Sequence, residues 1–210
     1  EIVVTKRDGR RDEKTFSVPS RIPARAVFSS QLDRSIGYLQ LTHMPGLVGI
    51  DLARDIDRAV ANLRDCDRLI IDLRGNPGGG SGGLRLMSYL TPDRIPVGYS
   101  LTRSRAESGY SREKLTTFRR IPSRKWTLPF LAVKYRFIDH SVVIVTEGLG
   151  RQRFHGRVVL LINEHTISGA EIMAGFAADH GLATVVGSAT AGTLLGWRSF
   201  PLNFGYVLVI

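Results

Sequence analysis

The residues most able to do chemistry lie in two short stretches. In LLINEHTISGAEIMAGFAADHG (160–181), an apolar run breaks at Asn163 and a helical pattern begins near Ser168. Ser168-Gly169-Ala170-Glu171 is an S-x-x-E sequence, the signature of a capping box in which hydroxyl and carboxylate each answer a main-chain amide. The same place suits a nucleophile, because free amides and the helix dipole stabilise negative charge at a helix start. Gly169 and Ala170 are small enough to let a substrate backbone approach.

The second stretch is DLRGNPGGGSGG (72–83), between an apolar run and a helical one. Glycines permit positive φ and close main-chain contact, so N–H groups here could face an anion or a developing oxyanion. Gly78, Gly80 and Gly83 also match G-x-G-x-x-G, and Arg103 and Arg105 would suit a 2′-phosphate. That fingerprint normally follows its strand directly, whereas Asp72, Arg74, Asn76 and Pro77 intervene here. A turn without chemical role is the third reading, with Asp72 and Arg74 as an ion pair or turn hydrogen bonds holding the loop.

A serine that attacks needs a proton acceptor. No lysine follows Lys134. His165 is three residues before Ser168, His180 is at the end of the helical pattern, and His43, His140 and His155 fall in turns or beside the basic stretch. None is spaced as an obvious base.

Length and composition set the frame for these motifs. The 210 residues, 43% hydrophobic, fit one α/β domain or a domain with a fragment of another. No apolar run approaches a membrane span. Cys66 is the single cysteine, which rules out an internal disulfide or a cysteine metal cluster and reads as a buried small hydrophobe. The net charge of +10 concentrates between Arg103 and Arg136, where ten Lys/Arg face only Glu107 and Glu113. Without a nucleic-acid motif, that stretch reads as a solvated insertion, and no nucleic-acid partner is expected. The chain starts at Glu1 inside an apolar run and stops at YVLVI in mid-strand, so it reads as a segment of a longer protein, truncated at its C-terminus.

Strands are expected at 2–5 and 14–18, joined by the polar turn KRDGRRDE, with SRIPAR as a linker. Further strands are expected at 36–41, 68–73, 96–101, 142–146, 158–162, 183–187 and 205–210. After HMPG, Leu52, Ile56, Ala59, Val60 and Leu63 share one helical face. Helices are also expected near 84–90 and over 168–180. RLIIDL has the continuous apolar pattern of a strand covered on both faces. Alternating strands and helices point to an α/β fold with a mainly parallel sheet and flanking helices.

The order GYLQL, LIIDLRGNPGG, VVLLINEHTISGAE and TVVGSATAG resembles the tail-specific (carboxyl-terminal processing) serine peptidases, over about residues 30–210. The resemblance implies a Clp protease/crotonase-type core over 23–210, with residues 1–22 as the end of a PDZ domain and its linker. It implies Ser168 as nucleophile, and an oxyanion hole from the amide of Gly169 and that of Gly78 or Gly79. Many members use a lysine in T-x-G-K as base, but Thr190-Ala191-Gly192-Thr193 carries Thr193 there. The tricorn-like branch uses a histidine from a segment before the PDZ domain, with an acidic residue near the end of the core. Both regions are expected outside this chain, which alone is expected to be inactive or nearly so. A base-less, peptide-binding scaffold of the same fold is the alternative. The resemblance implies a polypeptide substrate, with its C-terminal end as one mode of binding, no cofactor or metal, and a periplasmic or cell-envelope location. An unpaired apolar end strand would favour self-association into a homo-oligomer.

Overall fold

The computed structural model describes residues 2–5, 11–14, 25–136, 141–150, 154, 157–194, 199–201 and 207–209. β1 (Ile2–Thr5) and β2 (Arg11–Lys14) pair antiparallel, with Ile2 opposite Lys14 and Thr5 opposite Arg11. The second strand therefore takes Arg11, Asp12 and Glu13 from the stretch read as a turn and shares Lys14 with the strand expected at 14–18. A short connection sets hairpin register more strongly than polarity does. Residues 15–18 lie outside the described residues.

β3 (Val27–Asp33) forms where no strand was expected and pairs antiparallel with β4 (Ile36–Leu41). It is an edge strand with Ser30, Gln31 and Leu32 exposed, so it lacks the alternation by which strands are recognised. In β4 the alternation is complete: Gly37, Leu39 and Leu41 are buried, and the residues between them are half-buried.

α1 (Ile50–Asn62) carries β4 over to β5 (Arg68–Asp72), which runs parallel to it. The apolar face of α1 buries Leu52, Ile56, Ala59 and Leu63 as its periodicity requires, with Ala53 added and Val60 half-buried. α2 (Gly83–Tyr89) follows the glycine loop. β6 (Pro96–Ser100), α3 (Arg103–Ser108), β7 (Thr116–Phe118), α4 (Leu128–Arg136) and β8 (Val142–Val145) come next. β8 lies between antiparallel β6 and parallel β7 in a small second sheet. β9 (Val158–Ile162), α5 (Gly169–Asp179) and β10 (Thr184–Gly187) complete the main sheet. β11 (Ser199–Pro201) and β12 (Val207–Val209) form a separate antiparallel pair.

The main sheet has the order β10-β9-β5-β4-β3, parallel except at β3. Leu39, Ile71 and Leu160 of its strands are fully buried, as are Leu52 and Ile56 of α1 and Leu84 and Leu86 of α2. The alternate side chains Tyr38, Ile70, Val159 and Leu161 are only half-buried, so β5 is not covered equally on its two faces as its apolar run implied. Cys66 is buried, and burial pushes its thiol pKa up. Because β4, β5 and β9 are parallel, their carboxyl ends meet at one edge. The loops starting at Thr42, Leu73 and Asn163 converge there, where open α/β sheets bind ligands.

The basic stretch is more than a solvated insertion. It contributes β7, α4 and the fully buried Ile121, while Arg119, Arg120 and Arg124 stay exposed. Beneath it, Arg85 of α2 lies 3.0 Å from Glu147 and 3.4 Å from Asp57 of α1, with the Arg85 and Glu147 side chains only 11% and 8% exposed. Tyr89 donates to the same Asp57 oxygen at 2.9 Å, and the Glu147 amide donates to Ser88 Oγ at 2.9 Å. Burial raises the pKa of the Glu147 carboxyl, with Arg85 opposing. Removing one partner of a buried pair strands the other charge. Arg85→Ala is expected to lower stability by about 3–5 kcal/mol in urea unfolding near neutral pH. Since the Glu147 pKa is raised on folding, the loss should shrink as acid protonates that carboxyl.

Candidate active site

Asp72 ends β5 and sets the direction of the loop that follows. Its carboxylate, 2% exposed, accepts from Arg74 Nε at 2.9 Å, Arg74 Nη2 at 2.8 Å, the Arg74 amide at 3.0 Å and the Tyr38 hydroxyl at 2.7 Å. Burial alone would raise its pKa, but the bonds from Arg74 and Tyr38 outweigh it and hold the group below the ordinary carboxylate value. The ion pair read from the sequence is thus present, as a forked clamp across the loop's entrance.

Asn76 is fully buried and ties three segments together. Its Nδ2 donates to the Leu41 carbonyl at 2.6 Å, its Oδ1 accepts from the Gly78 amide at 2.8 Å, and its carbonyl accepts from the Ile167 amide at 2.9 Å. Thr166, also fully buried, donates from its hydroxyl to the Leu73 carbonyl at 3.0 Å. Asn163 Oδ1 accepts from the Gly75 amide at 2.9 Å and the His165 amide at 3.2 Å. The Asn and Thr of NEHTIS therefore act on the loop of the other motif. In the sequence Asn163 marks only the break of an apolar run, Asn76 only a residue before the glycines, and Thr166 carries no expected role. The only available signal was polar residues at strand ends inside both motifs.

These bonds press the glycine loop against Ser168. A Cβ at Gly78 would stand 2.5 Å from the Ile167 carbonyl oxygen, 2.7 Å from the Gly169 nitrogen and 2.8 Å from Ser168 Cβ, and φ there is +80°. No other residue type fits. Gly79, with φ +132°, would drive a Cβ into the Met44 carbonyl. The loop's outer side is pinned along residues 44–47: Met44 N–H donates to the Gly78 carbonyl, Gly80 N–H to the Met44 carbonyl and Ser81 N–H to the Leu47 carbonyl. With the amides of Gly78, Gly80 and Ser81 engaged, the loop offers no cradle for a pyrophosphate. Among the described residues, the Gly79 and Gly169 amides have no hydrogen-bond partner. Of the two glycines left open by the sequence, Gly78 spends its N–H on Asn76 and Gly79 does not.

Ser168 has φ 55° and ψ −120°, and is the one non-glycine with positive φ among the described residues. Its amide donates to Glu171 Oε2 at 2.7 Å and to the Thr193 carbonyl at 3.0 Å. The serine–glutamate capping box is present, but its serine limb falls short of good hydrogen-bond geometry. The Glu171 amide meets the Ser168 carbonyl instead, at 2.9 Å. A mere cap would not need this left-handed backbone.

Glu171 does more than cap. Its carboxylate also accepts from the Gly192 amide at 2.6 Å and the Thr193 amide at 3.0 Å, locking the T-A-G-T loop beside Ser168. Burial raises its pKa, but bonds from Thr190 and from the amides of Ser168, Gly192 and Thr193 prevail and lower it. Thr193, at the position expected for a lysine base, is therefore next to Ser168 through its main chain. The histidines are elsewhere. His165 is exposed beside Glu164, and His180 stacks on Phe176 at the far end of α5. His43 bonds Thr42 Oγ1 through Nδ1 at 2.9 Å. His140 and His155 lie outside the described residues.

A group with a lowered folded pKa stabilises above its unfolded value, and that stabilisation is lost as pH falls through the folded value. Glu171→Gln should therefore cost about 1–3 kcal/mol at neutral pH. Its stability should also decline less than the wild type's as pH drops from the ordinary glutamate value of 4.5, measured by thermal melts across an acid series.

Residues 35–210 match the model of Peptidase family S41. Among solved structures, the chain is similar to the photosystem II D1 C-terminal processing protease, at 16% identity and TM-score 0.57, over 91% of this chain and 43% of that one. It is likewise similar to a lipoprotein from Streptococcus agalactiae, at 18% identity and TM-score 0.53, over 89% of this chain and 57% of that one. A described peptidase candidate from Parabacteroides merdae matches at 20% identity and TM-score 0.53, over 88% and 49%. The chain spans about half the length of these structures, and at such identities the likeness is one of fold. The family model covers most of the chain and includes both motifs whose loops meet at Ser168. This chain belongs to peptidase family S41.

Proposed function

We propose that the chain is the core of a serine endopeptidase of the tail-specific processing type, tricorn-like branch, with Ser168 as nucleophile. The observation that carries this reading is the strained Ser168 flanked by the unspent amides of Gly169 and Gly79. Ser168 Oγ gives its proton to a base as it bonds to the attacked carbonyl carbon. The carbonyl electron pair moves to oxygen, where the Gly79 and Gly169 amides stabilise it. The carbon–nitrogen bond then breaks, the base hands its proton to the leaving amine, and water hydrolyses the acyl-serine.

The base is the part supplied from beyond residues 1–210. A threonine hydroxyl at 193 is no proton acceptor at neutral pH, and among the described residues the hydrogen bonds of Ser168 involve Glu171, Thr193 and its own helix but no histidine. The resemblance supplies a histidine from a segment before a PDZ domain, of which residues 1–22 would be the end, together with a carboxylate near the end of the core. The substrate is a polypeptide, engaged by its C-terminal end, and the location is the periplasm or cell envelope. Loss of the base altogether would instead leave a peptide-binding scaffold, which Thr193 fits equally well.

The test is cleavage of an unfolded protein by the full-length protein and by Ser168→Ala. A loss on the order of 10⁴-fold or more in the variant is expected. Equal rates in the two proteins would return Ser168 to a structural role, and cleavage by neither would favour the scaffold. Residues 1–210 alone are expected to show at most a residual rate in the same assay.

A further inference from the structure

The basic stretch is the one sequence feature that the catalytic reading does not absorb. Its charged side chains from Arg103 to Lys125 are exposed, yet Phe118 and Leu128 turn inward and pack against the core. What they enclose, with the rest of the fold, is a cavity of about 760 Å³ beside the Ser168 turn. Gly79 and Gly169, which carry the two unspent amides, both border it. Met44, Leu84 and Met87 line it from the core, and Ile144 from the second sheet. Among the described residues, no ionisable side chain lines it. Its side-chain hydroxyls are those of Ser81 and Ser100, and Ser81 already donates to the Leu47 carbonyl at 2.9 Å.

We propose that this cavity receives a large apolar side chain from the residue whose carbonyl is attacked, and that Phe118, Leu128 and Ala132 form the wall that selects it. The proposal rests on the catalytic reading of Ser168. The acyl-side residue is chosen because its Cα is bonded directly to the attacked carbon, so its side chain is nearest to amides that hold the oxygen. A charged side chain entering here would lose its water and find no partner among the described lining residues. An alanine would leave most of the space unfilled. The volume exceeds one aliphatic side chain and falls in the range of ligand pockets, about 300–1,000 Å³, so leucine, methionine and phenylalanine all fit, with room for a second apolar residue. The stretch is thus two-sided: its arginines keep it soluble while its apolar residues define the substrate.

The test uses the full-length protein and peptides differing only at the residue on either side of the cleaved bond. Phenylalanine or leucine on the acyl side should raise kcat/KM about 10- to 100-fold over alanine or aspartate. Leu128→Trp should reduce that ratio at least tenfold, roughly the worth of a lost apolar contact. Ala132→Phe, at an exposed position that does not endanger folding, should reduce it in the same direction. An unchanged ratio in both variants, or selectivity only on the leaving side, would overturn the pocket while Ser168-dependent cleavage kept the catalytic reading. If the wild type cleaves nothing, the same peptides are titrated onto Ser168→Ala by fluorescence anisotropy. A preference for the apolar peptides that Leu128→Trp and Ala132→Phe both erase would sustain the pocket, and equal affinities for phenylalanine and alanine peptides would refute it.

Discussion

The main-chain contact between the glycine loop and the Ser168 turn is the constraint on which the site depends. Ile167 N–H reaches the Asn76 carbonyl at 2.9 Å, and Gly78 approaches Ser168 so closely that any Cβ would collide with three atoms of the turn. The two loops come from different strands, β5 and β9, which are neighbours in the sheet with Asp72 opposite Leu161. Parallel pairing brings their ends to the same level, and glycine removes the last obstacle to contact. Every other polar interaction in the site either enforces that approach or uses it.

Enforcement falls to buried polar side chains bonded to main chain. Asn76, Thr166 and Asn163 connect the ends of β4, β5 and β9, and Glu171 binds the 190–193 loop to the start of α5. Such groups are costly to bury unless satisfied, so each one admits few alternative arrangements of its loop. That rigidity is what holds Ser168 at φ 55°, a conformation its own sequence does not favour. Glu171 shows how one residue serves two purposes: its carboxylate accepts from the Ser168 amide and holds the 190–193 loop, while its own amide bonds the Ser168 carbonyl.

The second sheet and the basic stretch add the other side of the cleft. Their packing depends on the Arg85–Glu147 pair, which joins α2 to the segment after β8 beneath the stretch. Charge on the outside and apolar contact within come from one stretch: Arg119, Arg120 and Arg124 are exposed while Phe118, Ile121 and Leu128 pack inward. The site geometry thus rests on the sheet ends, while the chemistry of the adjoining cavity rests on a region with no motif.

Much of this was legible in the residues. The period-two pattern of β4, the helical face of α1, the apolar runs of β5 and β9 and the S-x-x-E start of α5 are local, and local sterics and hydrophobic period decide them. The pair of motifs around Ser168 and the glycines was legible for the same reason. β3 was not, because an edge strand paired on one side carries no such pattern. Which of the Gly78 and Gly79 amides is hydrogen-bonded was not either, because it turns on which one Asn76 accepts from. Nor could the sequence reveal that the basic stretch has an inner face, or that Asn163 and Glu171 work on loops far along the chain. By itself the sequence determined β4, α1, β5, β9, α5 and the residue types able to do chemistry. Only the tertiary structure decided which amides stay free and what the cleft is lined with, because those depend on partners brought together by strand pairing, not by spacing along the chain.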